Sequence, residues 1–167
     1  MNKNRQDLLH LIWEAQDTAY DLMYEYDQLP HPYGDHVLYQ AEAHVISLIA
    51  TQPNITITDI SNILRKTPSA CSQIVRKLRA KGWVEQQRNE ENNRVYNLRL
   101  TDEGMEVFRA HSAFDAEGQK RTFRRLEEFT DEELEHHLAV QEGLIAAYQE
   151  DVRISREYFR KPAPENK

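Results

Sequence analysis

From Asp7 to Tyr26 the apolar positions Leu8, Ile12, Ala15, Ala19, Leu22 and Tyr26 step by 4, 3, 4, 3, 4. That is the spacing of one continuous helical stripe. The stretch Pro30-His31-Pro32-Tyr33-Gly34-Asp35 breaks it and reads as a loop, with His31 and His36 facing solvent, because two prolines and a glycine interrupt helical hydrogen bonding. A second helix is expected from about Ala41 to Thr51, burying Val45, Leu48 and Ile49 and closed by Pro53-Asn54. Thr56, with Asp59 three positions on, caps a short third helix whose inward residues are Ile60, Ile63 and Leu64.

After a turn at Arg65-Lys66, Thr67 caps a fourth helix with Pro68 at its first position, where a missing N–H costs nothing. Its apolar stripe is Cys71, Ile74, Val75 and Leu78; its polar side is Ser69, Ser72, Gln73, Arg76 and Lys77, and Gly82 is the expected left-handed stop. Trp83-Val84-Glu85, a polar turn over 89–93, and a second strand in which Tyr96, Leu98 and Leu100 alternate with Asn97 and Arg99 form a hairpin. Thr101 opens a helix running to about Glu128, with Phe108, Phe123 and Leu126 available for burial. Thr130 and Glu133 form a capping box for a last helix with the stripe Leu134, Leu138, Gln141, Ile145, Tyr148, Val152, and the tail after Phe159 should fray. The fold class is mainly α with a small β-hairpin wing: a winged helix-turn-helix over 55–101, carried on a helical scaffold at 5–40 and 102–158.

Charge changes this picture. The whole chain carries a net charge of -7, which argues against a polyanionic partner until its distribution is read. Residues 56–100 hold nine basic residues (Arg65, Lys66, Arg76, Lys77, Arg79, Lys81, Arg88, Arg94, Arg99) against four acids, a balance of +5, while the remainder is at -12. A basic middle between acidic arms suits a DNA-contacting module on a non-binding support; on charge alone, a chance cluster of solvated cations is an equal reading. A single cysteine, Cys71, excludes an internal disulfide, and no apolar run approaches a membrane span or a secretory leader, so a reducing cytoplasmic location is expected.

The runs Ile57-Thr58-Asp59-Ile60-Ser61-Asn62-Ile63-Leu64 and Ser69-Ala70-Cys71-Ser72-Gln73-Ile74-Val75-Arg76-Lys77-Leu78 precede Lys81-Gly82-Trp83-Val84 and Leu98-Arg99-Leu100-Thr101-Asp102-Glu103-Gly104. In this order and spacing the chain resembles the MarR (multiple antibiotic resistance regulator) family over nearly its whole length. The resemblance implies a homodimeric transcriptional regulator, a repressor by expectation, bound to a palindromic double-stranded operator and responsive to a small molecule or metal. Ser69, Ser72, Gln73 and Arg76 then face base edges or phosphates, glutamine suiting adenine and arginine suiting guanine. Thr67, Pro68 and Ser69 lie at the positive helix end, Lys77 follows Arg76 on the polar side, Arg65 is in the turn, Arg88 at the wing base, and Arg94 where the family inserts an arginine into the minor groove.

Two positions depart from the family pattern. Asn92 stands for the wing-tip acid that would pair with Arg94, and Arg65 stands for a glycine in the turn, a left-handed position that costs a non-glycine residue roughly 1 kcal/mol.

The long stripes of the first and last helices (Leu8, Ile12 and Leu22; Leu138, Ile145 and Tyr148) supply a dimer seam, which the resemblance implies is interleaved across a twofold. His111 and Asp115 share a helical face, and Glu42 and His44 sit near the start of the second helix, a nitrogen and carboxylate set suited to zinc. These positions resemble those of zinc-sensing family members, with Glu25 as a further ligand, except that Asp115 stands where those members have histidine. A hydrogen-bonded histidine cluster without metal is the favoured reading, and no cofactor is required. Tyr20, Tyr24, Tyr26, Tyr33 and Tyr39 are candidates for an aromatic effector pocket, or for ordinary core. Cys71, on the buried side of its helix, reads as core. His136 and His137, adjacent on the last helix, read as exposed spacers.

No glycine-rich phosphate loop, nucleophile elbow or H-E-x-x-H is present, so an enzyme is not expected. The competing class is a winged helix used for protein contacts without DNA binding.

Overall fold

A computed structural model describes the backbone of residues 4–89 and 92–160. The elements in chain order are α1 (Arg5–Gln28), β1 (Pro30–Tyr33), β2 (His36–Tyr39), α2 (Gln40–Thr51), α3 (Ile57–Leu64), α4 (Pro68–Ala80), β3 (Val84–Arg88), β4 (Tyr96–Leu100), α5 (Asp102–Leu126) and α6 (Asp131–Arg160). The chain divides into two compact units, one to Glu117 and one from Gly118, with α5 running through the division.

In the first unit, buried Ile46, Ile49, Ile60, Cys71, Val75, Leu78, Trp83, Leu98 and Val107 form one core shared by α2 to α5 and the wing. The local signals that start these elements are satisfied. Thr56 Oγ1 accepts from the Asp59 N–H at 3.2 Å while Asp59 Oδ2 accepts from the Thr56 N–H at 2.9 Å. These hydrogen bonds also hold the Asp59 carboxyl below the usual range. Thr67 Oγ1 accepts from the Ala70 N–H, with Pro68 first in α4. Gly82 takes φ +80° and the Trp83 N–H reaches back to the Leu78 carbonyl at 3.0 Å, closing α4 with a left-handed cap.

The segment expected to be a loop is instead an antiparallel hairpin, β1–β2, with Tyr33 opposite His36 across the two-residue turn Gly34-Asp35. Gly34 at φ +61° supplies the positive dihedral such a turn needs. Alternation places His31 and Tyr33 inward and Pro30 and Pro32 outward, where a missing donor is tolerated. His31 is therefore buried rather than solvent-facing, and the expected helical scaffold over 5–40 contains a sheet at its end. His36 is half-buried, its ring 5.0 Å from that of Trp83.

Three burial expectations also change. Ile63 is exposed: the inward face of the short helix is centred on Ile60, Ser61 and Leu64, and Ile63 falls at its edge. In β4 Tyr96 is exposed and Asn97 buried, because the Asn97 side chain bonds Asn54 and Asn89 while the Leu98 N–H donates to the Ile55 carbonyl. On α5 the core residue is Val107; Phe108 packs only partly, and Phe123 and Leu126 are exposed.

In the second unit Thr130 and Glu133 form the expected capping box, the Thr130 N–H donating to Glu133 Oε2 at 2.8 Å and the Glu133 N–H to Thr130 Oγ1 at 3.3 Å. Arg153 bridges Glu150 and Glu157 along the outer surface of α6. Within a single chain neither α1 nor the described part of α6 buries any residue completely. Each exposes large apolar groups: Leu8, Ile12 and Leu22 on α1, and Leu138, Ile145 and Val152 on α6. Of the tail expected to fray after Phe159, residue 160 ends α6 and residues 161–167 lie outside the described residues.

Candidate nucleic-acid interface and the histidine cluster

The interface begins at the turn between α3 and α4. Arg65 occupies φ 51°, ψ 37°, so the left-handed position expected there is present and is held by a non-glycine residue. The Lys66 N–H reaches back to the Ser61 carbonyl at 3.1 Å, closing α3 while Thr67 opens α4. Because Cys71, Val75 and Leu78 are buried on one side of α4, the opposite side is fixed: Ser69, Gln73 and Arg76 are exposed and Ser72 half-buried. Lys77 is exposed on the flank of that surface. Burial raises the Cys71 thiol above its ordinary pKa, consistent with its reading as core.

The wing is a five-pair ladder from Val84–Leu100 to Arg88–Tyr96. Arg88 ends β3 and its guanidinium stands 5.9 Å from the Tyr96 ring. At the tip, Asn92 Oδ1 accepts from the Arg94 backbone N–H at 3.1 Å, and the Asn92 N–H donates to Asn89 Oδ1 at 2.9 Å. Asn92 thus fixes the backbone of Arg94, while the exposed guanidinium has no acid at position 92 to hold it. Arg94 borders a cleft of about 450 Å³ between the wing and the Thr56–Asp59 start of α3. Arg99 is turned to Gln87, at 3.0 Å.

The wing is seated by Trp83. Its indole N–H donates to Glu103 Oε1 at 2.9 Å, and Lys81 Nζ lies 4.5 Å above its ring. Thr101 Oγ1 donates to the Gly82 carbonyl and accepts from the Gly104 N–H. Sequence reasoning assigned Trp83 to a strand and did not find this junction; the pairing of Trp83 with Glu103, 20 residues apart, has no local signature.

The histidine cluster lies where α2, α5 and β1 meet. His111 is buried; its Nδ1 is hydrogen-bonded to Ser47 Oγ at 3.2 Å, and its Nε2 lies 3.3 Å from Asp115 Oδ2 without an aligned hydrogen bond. Burial pulls the His111 pKa below the ordinary value, with Asp115 opposing and His44 reinforcing the shift, so the imidazole is neutral at pH 7. His44 is exposed, paired with Gln40 at 3.0 Å, its ring 6.3 Å from that of His111. The Tyr33 hydroxyl donates to the same Gln40 at 2.8 Å. His31 stacks on Tyr26 at 4.1 Å and is hydrogen-bonded to the Tyr26 carbonyl.

His111, Asp115 and His44 are thus neighbours, but Glu42 is directed toward α4, with its oxygens 3.9 and 3.8 Å from Lys77 and Lys81. Among the described residues no three histidine, cysteine, aspartate or glutamate side chains converge on a metal position. The orphaned Nε2 of His111 has the chemistry of a ligand; the set around it falls short of a tetrahedral zinc site. Nor do the tyrosines form a pocket: Tyr33 is core, Tyr20 and Tyr24 stack on each other in solvent, and Tyr39 is exposed.

The middle of this order of elements, from the end of β2 to the start of β4, is matched by a family model. Residues 38–96 match that of the MarR family. Over these residues the chain is similar to MarR-family proteins. Solved structures with the same fold include the zinc-responsive MarR family member ZitR of Lactococcus lactis (20% identity, 87% of this chain and 99% of that one, TM-score 0.67). They also include FabT of Streptococcus pneumoniae in complex with DNA (24%, 89% and 99%, TM-score 0.61). A third is a MarR/EmrR family transcriptional regulator of Acinetobacter sp. ADP1 (25%, 84% and 96%, TM-score 0.60). No curated protein matches the sequence. Among the described residues, no helix is long and apolar enough to cross a membrane.

Proposed function

We propose that this MarR-type chain is a cytoplasmic, homodimeric transcription regulator that reads a palindromic double-stranded operator, acts as a repressor by occupying it, and responds to an effector. The observation that carries this reading is the exposed polar face of α4 (Ser69, Gln73, Arg76) standing beside a wing that bears Arg94, in the most basic part of an acidic chain. A helix fits the major groove and a wing arginine the minor groove, whose negative potential attracts it. In this reading Arg65, Thr67, Ser69 and Arg88 meet phosphates, whose neutralisation supplies most of the affinity. The DNA complex of FabT, on the same fold, supports the mode of binding.

One winged helix reads only a few base pairs, so a twofold dimer is the economical reader. The apolar rows on α1 and α6, exposed in a single chain, are the surfaces that such a dimer buries. Residues 55–101 are the DNA-binding part; 5–40, ending in the β1–β2 hairpin, and 102–158 are the dimerisation part. Effector response is supported by a second cleft, about 490 Å³, in which the apolar Ile49, Leu98 and Met105 face the polar Gln87 and Arg99; its volume suits a small molecule.

Titration of a bound duplex with Arg76→Ala and Arg94→Ala tests the assignment. Arg94→Ala weakens binding to every sequence, whereas Arg76→Ala costs about 1–3 kcal/mol and relaxes base preference at one position. Wild-type affinity in both variants at fixed salt overturns it. A winged helix used only for protein contacts gives no salt-dependent affinity for DNA.

A further inference from the structure

Among the described residues, Glu42 is the most deeply buried carboxylate, and DNA reading leaves it unexplained. It lies on α2 with its side chain 8% exposed, and both oxygens are turned to the flank of α4: Oε1 is 3.9 Å from Lys77 Nζ and Oε2 is 3.8 Å from Lys81 Nζ. Oε2 also accepts from the Tyr39 N–H at 3.3 Å, closing the N-terminus of its own helix. That capping bond needs only an acceptor, so a neutral glutamine would serve it. Burying a full charge is unfavourable unless counter-charges meet it, and here the counter-charges come from the last turn of α4 and from its C-cap residue. Lys77 and Lys81, four residues apart, share a face; at about 100° per residue Lys77 is only about 40° around α4 from Gln73, on the side facing α2. Lys81 is held a second time over the Trp83 ring, at 4.5 Å.

We propose that Glu42 is a positioning residue for DNA reading. It anchors α4 through Lys77 and Lys81, fixes the roll at which Gln73 and Arg76 meet the groove, and keeps both lysines from phosphates that they would otherwise bind without regard to sequence. The inference rests on the DNA-reading function proposed above. It makes Lys77 a counter-ion of Glu42 rather than a DNA contact. It also gives α2, which carries Ser47 against His111, a direct grip on the reading helix: a displacement of α2 moves the anchor of α4.

The test uses the full-length protein and fluorescence anisotropy on two labelled duplexes, a selected operator and its scrambled sequence, across a salt series, with thermal unfolding as the control for folding. Glu42→Gln keeps the cap and removes the charge. It is expected to raise affinity for the scrambled duplex, steepen the slope of log K against log salt by about 0.9 for each lysine released, and lower the operator-to-scrambled ratio about tenfold. Adding Lys77→Gln to Glu42→Gln removes the extra slope contributed by that lysine. Lys77→Gln alone, which does not depend on the stability of Glu42→Gln, lowers the ratio and leaves the slope unchanged.

A role in stability alone gives a lower melting temperature with ratio and slope at wild-type values, and that result overturns the proposal. So does a fall in slope of about 0.9 in Lys77→Gln, which makes Lys77 a phosphate contact. A wild-type protein that binds both duplexes equally removes the DNA-reading function itself, a distinguishable failure.

Discussion

The α-carbon of Gly104 lies directly against the carbonyl of Trp83, so closely that a Cβ at position 104 would overlap that oxygen. The contact is between backbones and neither can rotate away. It lets the first turn of α5 pass beneath the junction of α4 and the wing, where Thr101 and Glu103 add their hydrogen bonds. Gly104→Ala should therefore destabilise the protein by about 1–3 kcal/mol through forced backbone movement. Urea unfolding checks this, and a midpoint equal to wild type removes the constraint.

Arg65 makes the opposite prediction. At φ 51° it holds a conformation natural to glycine, so Arg65→Gly should stabilise the fold by up to about 1 kcal/mol. The same change removes a cation from the turn and should lower the salt slope of DNA binding by about 0.9. Stability without loss of slope shows that Arg65 touches no phosphate.

The buried Tyr33 hydroxyl gives a pH signature. Burial first, then the charges of Tyr26, Asp115 and Asp27, push its pKa up to about 12, above the value near 10 of an exposed tyrosine. The folded state therefore holds the proton more tightly than the unfolded chain. Its contribution to stability is complete below about pH 10 and is lost as pH rises from there through about 12. Denaturant unfolding at stepped alkaline pH should show a decline that is smaller in Tyr33→Phe; equal declines exclude Tyr33 as the source.

The histidine cluster predicts a metal result. With Glu42 committed to Lys77 and Lys81 and His44 exposed beside Gln40, zinc loading followed by desalting should leave less than one zinc per chain by elemental analysis, with DNA affinity unchanged. A stoichiometric zinc that alters DNA affinity, lost in His44→Ala, establishes a metal site here.

What could be read from sequence was what local chemistry encodes. Thr56 with Asp59, Thr67 with Pro68, Gly82, and Thr130 with Glu133 mark helix ends by interactions that span three or four residues, and all four do so in the structure. The exposed face of α4 followed from the spacing of Cys71, Val75 and Leu78. The β1–β2 hairpin is not legible in the sequence because its two prolines resemble helix and strand breakers, while the strand signal, inward His31 and Tyr33 just before Gly34, is only four residues long. Glu42 was assigned to a metal because its partners, 35 and 39 residues away, are brought to it by the packing of α4 on α2. Asn97 was placed outward for the same reason: its partner Asn54 is 43 residues distant.

The central claim is that α4 and the wing read DNA sequence as part of a twofold dimer. Selection of bound duplexes from a random pool, followed by measurement of the recovered sequence across a salt series, tests it most directly. The account predicts enrichment of a palindrome with half-sites about one helical turn apart, and log K falling linearly with log salt. No enriched sequence, together with affinity that does not change with salt, would contradict it.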